Sequence, residues 1–374
     1  MRGCIDVSES GPKRRNDRSG WKQTLASVDT STKRITHVAH PVINWMERTT
    51  VTQSRRTRKS PCQPLLAGLA SMLVMSACSA ELRDPLMPLV DHHQHLLSPA
   101  AVALPDPGAE PIAEEVDAED LIRQMNVDGV RRALVVSNAY YFDSSRQAQD
   151  AAAHARVRSE NDWTAQQAAR YPDRLLPFCS FNPLADYALS ELERCSRNRS
   201  FRGIKLHFQM SGVDLRNRYH VERVQAVFSR INELRLPIIG HFQTVDPYGA
   251  QQAQTLVRNV FTHAPDVPIL VAHLWGGGPF RPDALNILAA AVSGDTPLLP
   301  NLYFELAQVG LVLENSDDGG EIAARHIRRI GLNRIFYGSD GPPGELWRDF
   351  RREVPLTMDE FRTISQNVAP FMRV

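Results

Sequence analysis

The chain has 374 residues, 43% of them apolar and 23% charged, a balance that excludes a disordered or fibrous protein and leaves one large domain or two ordinary ones. The net charge of +1 hides a division, because residues 1–60 hold 13 Lys and Arg against 5 Asp and Glu, while the remainder holds 30 against 37. The basic excess sits in the N-terminal segment, so the rest of the chain gives no sign of a nucleic-acid surface.

Residues 1–45 are polar, patternless and rich in Ser, Thr and Arg. They are expected to be disordered and to precede the true translation start at Met46. Residues 46–78 read as a signal peptide. Arg55, Arg56, Arg58 and Lys59 precede the apolar run Leu65–Met75, which is too short to span a bilayer. Met75-Ser-Ala-Cys78 resembles a bacterial lipoprotein lipobox. That resemblance implies a lipid anchor at Cys78 as the membrane contact, and a location in the cell envelope. Residues 79–87 then form a linker to one domain over residues 88–374. The five cysteines, Cys4, Cys62, Cys78, Cys179 and Cys195, contain no CxxC pair, and their odd number gives no disulfide framework. Cys179 in an apolar run and Cys195 late in a helical one read as small buried residues.

Beyond residue 84 a short apolar strand followed by a helical stretch recurs. The strands are expected at Leu89–Leu96, Arg132–Ser137, Leu175–Asn182, Gly203–Phe208, Pro237–Gln243, Pro268–His273, Leu302–Leu306 and Ile335–Ser339. Between them, Val221–Leu234 carries apolar residues at three- and four-residue steps, and Asp150–Arg170 is Ala-rich. Thr357-Met-Asp-Glu360 is a capping box that opens a last helix. Eight such units predict an α/β fold, a (β/α)8 TIM barrel forming a single catalytic domain. An open doubly wound sheet is the alternative, but no GxGxxG follows an early strand.

The ends of these strands carry the chemistry. On the first, His93 and His95 are two residues apart, so both side chains point to one face, the geometry of a metal grip. The fourth strand ends on Lys205 and His207, the fifth on His241, the sixth on His273 and the eighth on Asp340. A histidine after an apolar strand is usually structural, but four strands doing so beside an aspartate are hard to assign to packing. Lys205 is the only lysine after residue 60, and lysine, unlike arginine, changes charge state when buried. It reads as an anchor for a substrate carboxylate or, carboxylated, as a metal ligand. Asp91 reads either as support for a metal ligand or as a strand-start hydrogen bond. Trp275 and the glycines after it form either a substrate wall or a turn that needs positive φ. Tyr140, Tyr141, Phe208 and Phe242 either line a pocket or close the core. Glu305 faces either the site or a neighbouring arginine.

Asp91-His-His-Gln-His95, His241, His273 and Gly338-Ser-Asp340 resemble the amidohydrolase superfamily. Within it they are similar to the amidohydrolase-related branch that includes decarboxylases of aromatic or muconate-type acids. The resemblance implies one divalent metal ion, commonly Zn²⁺, held by His93, His95, His241 and Asp340, with His273 acting on the substrate. A second metal bridged by a carboxylated Lys205 stays open. Lys205, His207 and Trp275 are the expected substrate contacts. The implied reaction is hydrolysis of a small carbonyl-containing substrate by metal-activated water, with Asp340 as proton shuttle. Non-oxidative decarboxylation on the same site and a metal-containing binding lipoprotein without turnover are the alternatives. The partners expected are a small-molecule substrate and no nucleic acid, and a homo-oligomer stays open.

Overall fold

The computed structural model describes residues 84–104, 114–145, 151–245 and 247–373. Eight parallel strands follow one another in chain order through a single sheet. They are β1 (Val90–His95), β2 (Arg132–Val136), β3 (Leu175–Ser180), β4 (Ile204–His207), β5 (Ile238–His241), β6 (Ile269–Val271), β7 (Leu302–Glu305) and β8 (Ile335–Phe336). The two edges meet where the His92 N–H donates to Tyr337 O at 2.9 Å and the Asp340 N–H donates to His93 O at 2.7 Å. That seam makes the sheet a barrel and excludes the open alternative.

A helix follows each strand: α1 (Ala118–Asp128), α2 (Ala153–Ala169), α3 (Ala188–Arg197), α4 (Arg218–Glu233), α5 (Ala250–Thr255), α6 (Pro282–Val292), α7 (Gly319–Ile330) and α8 (Pro343–Glu353). A further helix, α9 (Met358–Gln366), closes the series. The fold is the (β/α)8 barrel that the strand spacing predicts. Each strand is shorter than its expected span. No helix among the described residues is long and apolar enough to cross a membrane.

The strands read as unbroken apolar runs because both of their faces are covered. In β2, Ala133 and Val135 pack outward on Leu121 and Met125 of α1. Leu134 and Val136 turn inward to Leu176, Phe178, Ile239, Leu270 and Phe336. The start of α1 is set by Asp117, whose carboxylate accepts the N–H groups of Glu119 and Asp120 while Asp120 caps in return, and Gly129 ends the helix at φ 86°. Thr357 and Glu360 form the expected capping box of α9. On α4 the buried stripe is Val224, Val227, Phe228 and Ile231, each contributing roughly 1.5–3 kcal/mol of apolar burial before chain entropy is counted.

After α9 the chain folds across the end of the barrel where the strands begin. Ala369 and Met372 join the interior cluster, and the Phe371 ring lies 5.6 Å from Phe178. Arg132 Nη1 donates to Met372 O at 2.6 Å. At the other terminus, residues 84–87, expected in a linker, already pack on the barrel. Leu86 is buried in the core, and Asp84 pairs with Arg351 of α8 at 2.5 Å. The expected signal peptide and Cys78 lie outside the described residues.

One expectation is corrected. Cys179 on β3 and Cys195 on α3 are not separate thiols but a disulfide, with Cα atoms 6.2 Å apart across a sequence separation of 16. Cys195 is one helical turn beyond Glu191, and the inward face of α3 lays it over the outward-facing side chain of β3. An odd cysteine total cannot reveal a pair that only the packing of helix on strand creates.

Candidate active site

The site begins with an irregularity in β1. Val90 and Asp91 pair with Arg132 and Ala133, but Gln94 and His95 pair with Val135 and Val136, so β1 carries one extra residue. This bulge sends adjacent histidines to opposite ends of the barrel interior. His92 goes to the foot, where its ring stacks on Phe336 at 5.0 Å. Its Nδ1 bonds Tyr337 O at 2.6 Å, and its Nε2 accepts the Ala369 N–H at 3.1 Å. With both nitrogens engaged in a buried setting, the ring stays neutral, its pKa pushed down by burial to about 4.

His93 and His95 face the mouth, as their spacing predicts. His93 Nδ1 bonds Glu305 Oε1 at 3.0 Å, which leaves the Nε2 lone pair pointing inward. That nitrogen lies 3.2 Å from His95 Nε2 and 3.1 Å from Lys205 Nζ. Asp340 Oδ1 lies 3.5 Å from His95 Nε2. The ligand atoms of His93, His95 and Asp340 all fall within 4.8 Å of one another, two of the side chains coming from β1 and the third from the loop that follows β8. Burial holds both rings below the usual imidazole range; the Lys205 charge adds to this at His93, and His93 adds to it at His95. Two neutral ring nitrogens and a carboxylate oxygen facing one another are a donor set that fits a divalent cation.

Glu305 is the participant whose side the sequence left open. It is fully buried and accepts from three donors: His93 Nδ1 at 3.0 Å, the His273 N–H at 2.8 Å and the Ala307 N–H at 2.5 Å. It thereby fixes the tautomer of His93 and the backbone that carries His273. Its own pKa is raised by burial, with His273, these backbone bonds and Lys205 opposing the rise. An acidic residue closing the strand Leu-Tyr-Phe-Glu was the available signal. Space for it comes from Gly338, where a Cβ would lie 2.3 Å from Glu305 Oε2 and 3.0 Å from His93 Cβ.

Asp340 occupies a strained backbone at φ 54°. Its N–H is held by His93 O at 2.7 Å and its carbonyl accepts from Gln308 Nε2 at 2.9 Å. The neighbouring Ser339 is fixed by Asp91, whose Oδ1 accepts the Ser339 N–H at 3.0 Å and whose Oδ2 accepts the Ser339 hydroxyl at 2.5 Å. Asp91 Oδ1 also accepts the His93 N–H at 3.1 Å, so one buried carboxylate ties both halves of the cation cradle together. His273 at φ 55°, Leu274 at φ 60° and Gln308 at φ 56° share the left-handed conformation, leaving Arg235 as the one such non-glycine residue away from the mouth among those described. Strain of this kind clusters at functional sites in proteins generally.

The second oxygen of Asp340 lies 4.0 Å from His273 Nε2. His273 Nδ1 bonds Ala307 O at 2.9 Å, which makes it the donor nitrogen and leaves the lone pair on Nε2. Burial raises the pKa of Asp340 against the opposing charge of Lys205, and burial lowers that of Lys205 against the pull of Asp340 and Glu305. For both groups burial favours the neutral form, and the charge of the other opposes it.

The remaining expected residues divide. His207 and His241 are register partners on β4 and β5, so their rings stack at 4.0 Å and 11°. Tyr140 extends the stack, 4.8 Å from His207, and Tyr141 lies 4.6 Å from Tyr140. His241 contacts His273 edge-on at 5.0 Å but stands outside the group of ligand atoms formed by His93, His95 and Asp340. Trp275 is fully buried in the core, its indole edge-on to Phe280 at 5.0 Å, and its carbonyl accepts the Tyr248 hydroxyl at 2.8 Å. Phe208 and Phe242 also belong to the core, packed edge-on at 5.2 Å.

Comparison with known proteins agrees with the fold. A family model described as Amidohydrolase matches residues 90–361. No curated protein matches the chain by sequence. Among solved structures, 5-carboxyvanillate decarboxylase from Novosphingobium aromaticivorans, with bound manganese, is 14% identical with a TM-score of 0.54, covering 75% of this chain and 95% of its own. The 2,6-dihydroxybenzoate decarboxylase from Rhizobium is 16% identical with a TM-score of 0.51, covering 75% and 96%. A protein from Acinetobacter baumannii described as a probable 2-pyrone-4,6-dicarboxylic acid hydrolase is 13% identical with a TM-score of 0.51, covering 74% and 96%. At these identities the likeness is one of fold.

Proposed function

The chain belongs to the amidohydrolase family, and from that premise we propose that it is a metal-dependent hydrolase of a small carbonyl-containing substrate. One observation carries the reading: the carboxylate of Asp340 reaches His95 Nε2 at 3.5 Å with one oxygen and His273 Nε2 at 4.0 Å with the other. A single side chain thus joins the cation cradle to a ring nitrogen placed to exchange a proton. His93, His95 and Asp340 would hold one divalent ion, with His241 the further ligand expected from β5. Bound there, the ion supplies Lewis-acid polarisation and lowers the pKa of water. Asp340 takes up the proton at its outer oxygen and returns it to the leaving group. His273 orients the substrate carbonyl, Lys205 pairs with a substrate carboxylate, and His207 forms part of the wall. Zn²⁺ is the ion expected of two imidazoles and a carboxylate; manganese, bound in the Novosphingobium relative, is the competitor.

Decarboxylation is the second reading, and the flat faces of Tyr140, His207 and His241 beside the buried ammonium of Lys205 favour it. A planar carboxylic acid fits such a wall. A binding protein without turnover has no use for the Asp340–His273 pair. The full-length chain, its metal content measured, separates these readings. Acid release from lactones, esters or amides without CO₂ supports hydrolysis. CO₂ release from hydroxybenzoates transfers the proposal to decarboxylation, and neither product from a metal-loaded chain returns it to binding. The proposal extends to the cell envelope, with a lipid at Cys78 as tether; Cys78→Ser then moves the protein from membrane to soluble fractions, and unchanged fractionation refutes the tether.

A further inference from the structure

We propose that the Cys179–Cys195 disulfide is a covalent anchor for the aromatic wall of the candidate site. The bond joins the last turn of α3 to β3 and closes a loop that contains Asn182 and Tyr187. Both residues hold Asp143: Asn182 Nδ2 donates to Asp143 O at 2.9 Å, and the Tyr187 hydroxyl donates to Asp143 Oδ2. Asp143 ends the short helical segment Ala139–Asp143 that carries Tyr140 and Tyr141, and Tyr140 stacks on His207 at 4.8 Å. The cross-link is therefore joined to the mouth through Asp143 and Tyr140.

The surroundings of the sulfurs exclude a competing use. Cys179, Glu191 and Cys195 have ligand atoms within 4.8 Å of one another, which would suit a cation. Glu191, however, is already the partner of Arg194 at 2.7 and 2.9 Å and of Asn161 Nδ2 at 2.9 Å. The sulfurs are bonded to each other. Asn161 also pairs with both backbone groups of Ser180, at 2.8 and 3.0 Å, so this network fixes α3 and α2 to the end of β3 and the disulfide adds a covalent clamp. His154 stacks on Tyr187 at 4.1 Å and 5°, completing the support beneath Asp143.

Formation requires a disulfide oxidant of the thiol–disulfide exchange class. A Cys179 or Cys195 thiolate attacks the oxidant's sulfur and releases one thiol. The second cysteine then displaces the other, giving one protein disulfide and two reduced thiols. The consequence for the pocket rests on the proposed function, whereas the bond and its mechanical effect do not.

The test uses the full-length chain, equilibrated with oxidised glutathione or with a phosphine reductant. Denaturation with alkylation and peptide mass spectrometry is expected to show Cys179 linked to Cys195 in the oxidised sample. Both thiols alkylated there, or either one linked to Cys4, Cys62 or Cys78, overturns the proposal. Amide exchange is then compared in the native state. On reduction the peptide spanning residues 139–145 is expected to exchange about tenfold faster, while residues 132–136 of β2 stay unchanged. The melting temperature is expected to fall by roughly 5 °C. Unchanged exchange at residues 139–145 in a verified reduced sample overturns the anchoring. A Cys179→Ala/Cys195→Ala chain, insensitive to the reductant, controls for effects elsewhere. Exchange that rises equally in that chain on adding reductant also overturns it.

Discussion

Replacing Glu305 with Gln is the sharpest probe of how the cradle is held. The carboxylate accepts from His93 Nδ1, the His273 N–H and the Ala307 N–H. An amide has one acceptor oxygen and a donor nitrogen in place of the second oxygen, so at least one of these three donors must face an N–H. Leaving a buried donor unsatisfied costs about 1–3 kcal/mol. The ring of His93 also loses the anion that fixes its tautomer, a loss that typically weakens metal binding about 10–100-fold. Glu305→Gln should therefore lower the affinity for Zn²⁺ or Mn²⁺ by that factor, read by competition with a chromophoric chelator. It should also lower unfolding stability by about 1–3 kcal/mol, read in urea. If the variant binds metal within about twofold of the parent, then Glu305 does not position His93 and the argument from its three bonds is wrong.

Asp340→Asn should lower turnover of any substrate found by about a thousandfold with little change in the far-ultraviolet circular dichroism, and retained turnover would remove Asp340 from proton transfer. Gly338→Ala would press a methyl against Glu305 and His93, so a loss of about 1–3 kcal/mol is expected in the same urea assay; an unchanged midpoint would show that the pocket yields. Glu160, buried with its Oε2 accepting the Ser98 hydroxyl at 2.6 Å, has its pKa raised by burial from 4.5 to about 7. Its folded value exceeds its unfolded one, so its contribution is fully present below about pH 4.5 and is lost as pH rises through about 7, about 3 kcal/mol in all. Stability of the parent should fall relative to Glu160→Gln across that window, and parallel curves would disprove the assignment.

Much of the barrel was readable because each strand is buried on both faces and appears as a short apolar run between helical stretches. The mouth residues were readable where one strand placed two groups at a spacing of two, as with His93 and His95. What stayed hidden depends on contacts between strands. The bulge in β1 follows from its register with β2, so nothing in Asp91-His-His-Gln-His95 tells which histidine serves the foot. Glu305 could have faced either way until β7 found its neighbours. Trp275 beside a glycine run looks like a wall for substrate, yet its indole is taken up by Phe280 and the core. The pairing of Cys179 with Cys195 needed the angle at which α3 lies over β3.

The tail that crosses the strand-start end has a bearing on traffic. With Ala369, Phe371 and Met372 corking that end, a small molecule bound for Asp340 and His273 has the opposite, strand-ending side as its approach. There the left-handed backbone at Asp340 and His273 and the short helical segment with the two tyrosines fix what a visitor first meets.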